Sequence, residues 1–145
     1  MLTEKDYCDL DTCVALKELG FSEPTLAYYH GFLLSKPLLY LVIDEDCMPE
    51  DGVNVFDLLS NSNKYKDSKN IDAPTLWEAQ KWLREEKNII VEVFVDDDSD
   101  TPITYNIYKD GECVCHHHGR YWSVKEWNVA LSEGIKEVIK ILKEK

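Results

Sequence analysis

The chain has 145 residues, of which 28 are acidic and 16 are basic, so its formal net charge at neutral pH is −12. This length suits a single domain, residues 1–145, with a core that needs no disulfides. A charge of this sign repels phosphate and anionic lipid. It therefore argues against nucleic-acid and membrane binding and favours a protein partner with a basic surface.

The first residues and the cysteines predict the compartment. The start, MLTEKDYCDL, has no basic segment followed by an apolar run, so we expect no secretion signal. The longest apolar run, LLYLVI at 38–43, is about a third of the length that spans a bilayer. Five cysteines at irregular spacing do not describe a disulfide framework. We predict a cytoplasmic protein with reduced thiols.

The amino-terminal half predicts one helix and two strands. The apolar spacing favours a helix over about residues 5–19, ended by Gly20, with Phe21 folded back on it. TLAYYHGFL and PLLYLVID have strand composition and can pair as a hairpin. VNVFDLL is compatible with a short helix, and the polar segment 60–70 is expected to be a flexible connection.

The middle of the chain has clearer signals. Thr75 and Glu78 have the capping-box spacing at the start of a helix of about three turns. The segments 89–95 and 103–109 alternate as strands, and Asp110-Gly111 is typical of a type I′ hairpin turn into a third strand, 112–118.

The closing helix opens with a second capping-box pattern, Ser123 and Glu126. Its apolar residues form one stripe: Trp127, Ala130, Leu131, Gly134, Ile135, Val138 and Leu142. We therefore predict an α+β fold. A three-stranded antiparallel meander packs against helices that include this long one, and the amino-terminal strands are candidates for extending the sheet.

The segment CVCHHHG, residues 113–119, concentrates potential metal ligands on the third strand. With a two-residue turn, regular pairing puts Ile107 opposite Val114 and Tyr105 opposite His116. Alternation then divides the cysteines and histidines between two faces: His116 and His118 beside Val114 on the helix side, and Cys113, Cys115 and His117 on the other.

This division makes the segment a weaker candidate for a metal site but does not exclude one. His116 and His118 could share an ion, but a third ligand is not local, and the competing interpretation is an ordinary strand in which His116 is hydrogen-bonded at the core edge. Cys115 with His117 resembles a thiol and its base, yet neither has an evident orienting partner.

The helix after Thr75 carries a candidate protein-binding site. Its 100° step puts Trp77 and Trp82 on opposite flanks of the apolar stripe, with Arg84 next to Trp77. Tryptophan beside arginine is typical of interface hot spots, although tryptophans also close the edges of small cores.

Three segments carry a resemblance: LKELGFSEPTLAYY, DAPTLWEAQKWLREEKNIIVEVFV and the terminal residues 127–145. They resemble small uncharacterised proteins carried by prophages and mobile elements of gut Bacteroidetes. The resemblance covers about two thirds of the chain and lies in the general residue pattern more than in specific motifs. These proteins have no assigned activity or catalytic residues, so the resemblance carries over no function, and CVCHHHG is not part of it.

The function that these observations favour is protein binding without catalysis. No phosphate loop, nucleophile elbow or dinucleotide fingerprint occurs, so we expect no enzyme and no cofactor. We predict a cytosolic accessory protein, an inhibitor or adaptor, whose partner is a host or phage protein. Two alternatives stay open: a His/Cys metal-binding protein and an acidic mimic of nucleic acid.

Overall fold

The computed structural model describes residues 4–25, 27–30, 38–41, 70–96, 99–116 and 120–144. The predicted helix at VNVFDLL and most of the predicted 60–70 connection lie outside these ranges. The fold is α+β, as predicted. It divides into two compact units: Tyr7 to Pro74, the N-terminal unit, and the segment from Thr75 with the first residues of the chain, the C-terminal unit. The single-domain expectation stays a prediction.

The first helix, α1 (Leu10–Glu18), is shorter than the predicted 5–19 because Asp9 caps it, accepting a hydrogen bond from the Thr12 backbone N–H at 2.9 Å. Its end follows the prediction. Gly20 has a φ of 105°, and the Phe21 N–H donates to the Leu16 carbonyl at 2.9 Å. Only a residue without a Cβ adopts that φ at little cost, and Phe21 is buried as the hydrophobic partner of the cap.

The strands of the N-terminal unit form a sheet of their own. β1 (Ala27–His30) pairs antiparallel with β2 (Leu38–Leu41), which confirms the predicted hairpin, and with β3 (Asn70–Asp72) on its other side. The idea that these strands extend the C-terminal meander is wrong for the described residues. Three residues of β3 are too short for a periodic signal, so the sequence did not predict it.

The C-terminal unit contains α2 (Leu76–Lys87), β4 (Ile89–Val95), β5 (Ile103–Lys109), β6 (Glu112–His116) and α3 (Trp127–Lys143). The sheet order β4-β5-β6 is the predicted antiparallel meander. The predicted capping box of α2 is present: the Glu78 N–H donates to Thr75 Oγ1 at 3.1 Å, and Thr75 N–H donates to Glu78 Oε1 at 3.0 Å. No helix among the described residues is long and apolar enough to span a membrane.

The core of this unit lies between α3 and the inner face of β4 and β5, while α2 covers β4. Its largest fully buried side chains alternate along the strands and recur at helical spacing: Leu76, Leu83, Ile89, Val91, Ile103, Tyr105, Ile107, Leu131, Ile135 and Val138. At the outer edge of β4, the Gln80 side-chain amide donates to the Val91 carbonyl at 2.8 Å, so α2 satisfies part of that edge.

The closing helix begins with a 3-10 turn, Val124–Glu126, before α3. The Glu126 carboxylate accepts from both the backbone N–H and the hydroxyl of Ser123, at 3.1 and 2.9 Å. The Glu126 N–H also donates to the Ser123 carbonyl at 2.9 Å, the bond that closes a 3-10 turn. These bonds hold the start of the helix where the sequence predicted it.

Candidate functional site

The hairpin that carries the cysteines and histidines begins as predicted. Asp110 and Gly111 have φ values of 52° and 85°, the positive pair that a type I′ turn needs. Lys109 pairs with Glu112 and Tyr108 pairs with Cys113. The turn is also tied to the end of α2, because the Asn88 side-chain amide donates to the Asp110 carboxylate at 2.8 Å.

Beyond those two pairs, the predicted register is wrong. Ile107 pairs with Cys115 and Asn106 pairs with His116, so Val114 is an extra residue in β6, a β-bulge. Regular pairing had placed Val114 opposite Ile107. A bulge exchanges the two faces for every residue that follows it, because side chains alternate with a period of two.

The bulge decides which side chains meet solvent. Val114 is 46% exposed instead of facing the helix, and Cys115 takes the inward position beside Ile107 and is half-buried. His116, predicted at the core edge, is exposed on the outer face. Seating a small apolar thiol inward costs less than burying an imidazole that needs hydrogen-bond partners, which is a physical reason for this arrangement.

The same shift assembles a polar cluster on the outer face of the sheet, made of Cys113, His116, Asn106 and Tyr108. The Cys113 Sγ lies 3.4 Å from His116 Nε2 and 3.7 Å from His116 Nδ1. His116 Nδ1 lies 3.2 Å from Asn106 Oδ1, and Asn106 Nδ2 donates to the Tyr108 hydroxyl at 3.3 Å. We call these four residues the thiol cluster.

The contact with Asn106 favours one tautomer of the neutral imidazole. Asn106 Oδ1 is only an acceptor, so the ring nitrogen beside it, Nδ1, carries the hydrogen in the neutral imidazole. The Cys113 sulfur lies near both ring nitrogens and is closer to Nε2 than to Nδ1. The cluster thus joins a thiol, an imidazole, an amide and a phenol in one chain of contacts.

The other cysteines of the described residues are placed differently. Burial raises the pKa of the Cys115 thiol, and the nearby Glu137 and Cys113 raise it further. Cys8 and Cys13 are buried, and all four described cysteines carry free thiols. A hydrogen bond with Cys8 and burial raise the pKa of Cys13. Cys113 is the exposed thiol among them.

The predicted metal pair is only partly described. His116 belongs to the thiol cluster, whereas His118 lies outside the described residues. Among the residues that the structure describes, no three His, Cys, Asp or Glu side chains come together as a metal site. A shared ion between His116 and His118 stays a prediction.

The three residues of the predicted protein-binding site differ in solvent exposure. Trp77 is 43% exposed on the outer side of α2, and Arg84 is exposed two turns further along. Trp82 is only 7% exposed and lies beneath the Lys87 ammonium, which is 5.5 Å from its ring centroid. Trp82 therefore closes the edge of the core, and Trp77 and Arg84 are the exposed residues of the predicted protein-binding site.

Sequence reasoning placed Cys113, Asn106 and Tyr108 on one face but missed His116 as their neighbour. In a regular strand, residues i and i+3 point to opposite faces, so the spacing of Cys113 and His116 argued against contact. No signal in the segment marks the bulge, since its extra residue is an ordinary valine.

Comparison with known proteins adds no family. No family model matches the chain, and no curated protein or solved structure matches it at a significant level.

Proposed function

We propose that the protein is a small cytosolic accessory protein of phage type that acts by binding another protein, as an inhibitor or adaptor, without catalysing a reaction. The observation that carries the proposal is Trp77, a large apolar side chain that is 43% exposed on a regular helix. Removing such a ring from water on binding contributes more than most contacts, which is why tryptophan is enriched in hot spots.

The surface around Trp77 supports a specific kind of contact. Lys81 and Arg84 follow Trp77 at i+4 and i+7, and both are exposed. This stripe, Trp77-Lys81-Arg84, offers one ring and two donors on the same side of α2. A partner segment with an apolar residue between carboxylate or carbonyl acceptors fits it.

The charge of the whole chain acts at longer range than this stripe. From Tyr7 to Pro74 the sequence has 12 acidic and 5 basic residues, so most of the excess negative charge belongs to the N-terminal unit. A partner with a basic surface is attracted before contact, and the stripe then determines how long the complex lasts.

Affinity capture with quantitative mass spectrometry tests the proposal. The wild-type chain, a Trp77→Ala variant and an Ile90→Ala variant are compared as baits in lysate of the host cell. Ile90 is the matched control because it is 41% exposed, nearly as much as Trp77, but lies on β4. We expect a protein that Trp77→Ala loses and Ile90→Ala keeps.

The alternatives give different results in the same experiment. If both variants retain every captured protein, the stripe is not a binding site. If duplex DNA added to the lysate displaces the captured protein, the result supports the acidic nucleic-acid mimic instead of the adaptor. Near-stoichiometric zinc or copper in the untagged protein, lost in a His116→Ala/His118→Ala variant, would establish the metal-binding function instead.

A further inference from the structure

The start of α1 holds two buried thiols that the stripe on α2 does not use. Cys8 immediately precedes the cap residue Asp9, and Cys13 is the fourth residue of the helix. These are the two positions whose side chains meet in a hydrophobic staple. We propose that Cys8 and Cys13 form a redox switch, in which a small disulfide oxidises the pair and the new disulfide fastens α1 to the sheet of the N-terminal unit.

The side chains of the two cysteines meet inside the N-terminal unit. The Cys13 thiol donates to the Cys8 carbonyl at 3.5 Å, and it is also hydrogen-bonded to the Cys8 side chain. Both residues are buried, and both thiols are free. Any two apolar side chains make a staple, whereas two cysteines in contact can also be joined by a covalent bond.

Cys8 is held by the sheet, whereas Cys13 belongs to the helix. The Cys8 N–H donates to the Pro74 carbonyl at 3.0 Å, just after β3, and the Tyr29 hydroxyl of β1 donates to the Cys8 carbonyl at 2.9 Å. A bond between the two sulfurs therefore holds the first turn of α1 against a segment that the sheet already fixes.

A buried hydroxyl beside the pair favours opening of this turn. Thr12 Oγ1 has no hydrogen-bond partner among the residues that the structure describes, and only 4% of Thr12 is exposed. Such a hydroxyl has lost the hydrogen bonds that water gives it, and it regains them when the turn opens. The first turn of α1 thus opens more easily than one whose polar groups are all bonded, and opening exposes both thiols to a small reactant.

The bond changes balance with the small disulfide as the only oxidant. One cysteine, as its thiolate, attacks a sulfur of the reactant, so a mixed disulfide forms and the first small thiolate departs with the electron pair. The second cysteine, also as its thiolate, attacks the protein sulfur of the mixed disulfide and displaces the second small thiolate. The departing thiolates take up the two protons that the cysteines released. Two protein sulfurs are oxidised, and one small disulfide is reduced to two thiols.

Oxidation of the pair is expected to be slow because it needs an opened turn. The hydrogen bond with Cys8 and burial raise the pKa of the Cys13 thiol, so its thiolate is scarce while the turn is closed. Cys113, in contrast, is exposed. Brief contact with an oxidant therefore leaves the buried pair reduced, and sustained contact closes the bond.

The experiment uses the full chain with 2-hydroxyethyl disulfide, a small uncharged reactant, at about pH 8, near the pKa of an ordinary thiol. After the remaining thiols are alkylated, trypsin cleavage at Lys5 and Lys17 leaves both cysteines in one peptide, residues 6–17. We expect this peptide to lose two hydrogens and to carry no alkyl group. Treatment with 2-mercaptoethanol should reverse the change.

Hydrogen exchange measures whether the new bond fastens the helix. We expect the amide hydrogens of α1 to exchange about tenfold more slowly in the oxidised chain, because the closed loop restricts opening of the first turn. In Cys13→Val an apolar side chain keeps the staple without the bond, so the oxidant should leave this exchange unchanged. Cys115→Ser, in the C-terminal unit, should respond like wild type.

Thr12→Val tests the role of the buried hydroxyl. Valine has nearly the same shape but regains no hydrogen bond on opening, so the disulfide should form about tenfold more slowly. Thermal unfolding followed by circular dichroism confirms that each variant is folded. An equal rate in Thr12→Val would show that the proposed opening step is wrong.

Two further results would overturn the switch itself. One is a peptide 6–17 that keeps two alkylated thiols under conditions that convert the exposed Cys113 to its mixed disulfide. The other is a disulfide between Cys8 and Cys13 that forms but leaves the hydrogen exchange of α1 unchanged. In either case the pair is an ordinary hydrophobic staple.

Discussion

At the scale of single residues, Gly134 sets how closely α3 approaches the sheet. It is buried on the helix face that meets β4 and β5, and a Cβ built on it would lie 2.5 Å from Val91 Cγ1 and 3.4 Å from the Tyr105 ring. A contact of 2.5 Å does not occur in relaxed structures, so glycine is needed here for the close approach of the helix to Val91 and not for its backbone freedom.

We expect Gly134→Ala to lower the free energy of unfolding by about 1–2 kcal/mol. Alanine would gain up to about 1 kcal/mol of helix propensity, but overpacking against Val91 costs about 1–3 kcal/mol. Urea unfolding measures the difference. Lys140→Ala, an exposed change on the same helix, should stay within about 0.5 kcal/mol. If Gly134→Ala raises the free energy of unfolding, there is room for a methyl group between α3 and Val91, and the prediction is wrong.

Glu126 gives a prediction for pH. Hydrogen bonds from the Ser123 backbone N–H and hydroxyl lower the pKa of the Glu126 carboxyl. A lowered pKa in the folded state stabilises the fold above the unfolded value of about 4.3, and this stabilisation is lost as the pH falls through the folded value. We expect wild type to melt above Glu126→Gln at neutral pH and the gap to close in acid. If the difference between the two melting temperatures is the same at neutral and at acid pH, the prediction is wrong.

At the scale of elements, the hairpin of β5 and β6 shows how one residue redirects a strand. The type I′ turn fixes the first two pairs, and the bulge at Val114 then exchanges the faces of everything that follows. The turn was readable from Asp110-Gly111. The bulge was not, because no residue in 112–116 has a local signal for an extra residue in the strand.

The same substitution at two valines tests this arrangement. Val114→Asp should change the free energy of unfolding by less than about 1 kcal/mol, because the side chain is exposed. Val91→Asp should cost more than about 4 kcal/mol or prevent folding, because Val91 is only 1% exposed and a carboxylate there has no partner. Chemical denaturation of both variants is the measurement. If the two variants lose similar free energies of unfolding, Val114 faces the core and β5 and β6 pair in the regular register.

At the scale of the whole molecule, the proposed function assigns different effects to the net charge and to the stripe on α2. The acidic excess between Tyr7 and Pro74 acts over about one Debye length, roughly 8 Å at physiological salt. The stripe on α2 acts only at contact. The two contributions should therefore appear in different rate constants.

We expect the association rate of the captured partner to fall as ionic strength rises, with little change in its dissociation rate. Trp77→Ala should do the opposite, raising the dissociation rate and leaving association nearly unchanged, because truncating a hot-spot ring shortens the lifetime of a complex. Surface plasmon resonance at several salt concentrations separates the two. If the association rate does not change with salt concentration, the expectation that the partner has a basic surface is wrong.

The sequence by itself determined the elements whose signals are local. Capping boxes, Gly20 after α1, the Asp110-Gly111 turn and the apolar stripe of α3 each depend on residues within a few positions of one another. The structure has the caps and the turn where they were predicted. The stripe of α3 is also present, but Ile139 is buried in it, while Trp127 and Leu142 are half-buried. The α+β class follows from those elements.

Tertiary structure decided what local signals do not contain. The separate amino-terminal sheet depends on pairing across long sequence separations, and the burial of Trp82 against the exposure of Trp77 depends on what packs beside α2. The contact between Cys113 and His116 depends on the bulge at Val114, which the residue spacing does not indicate. Burial is a property of neighbours brought together by the fold, so the residues of the candidate site could be named in advance but their partners could not.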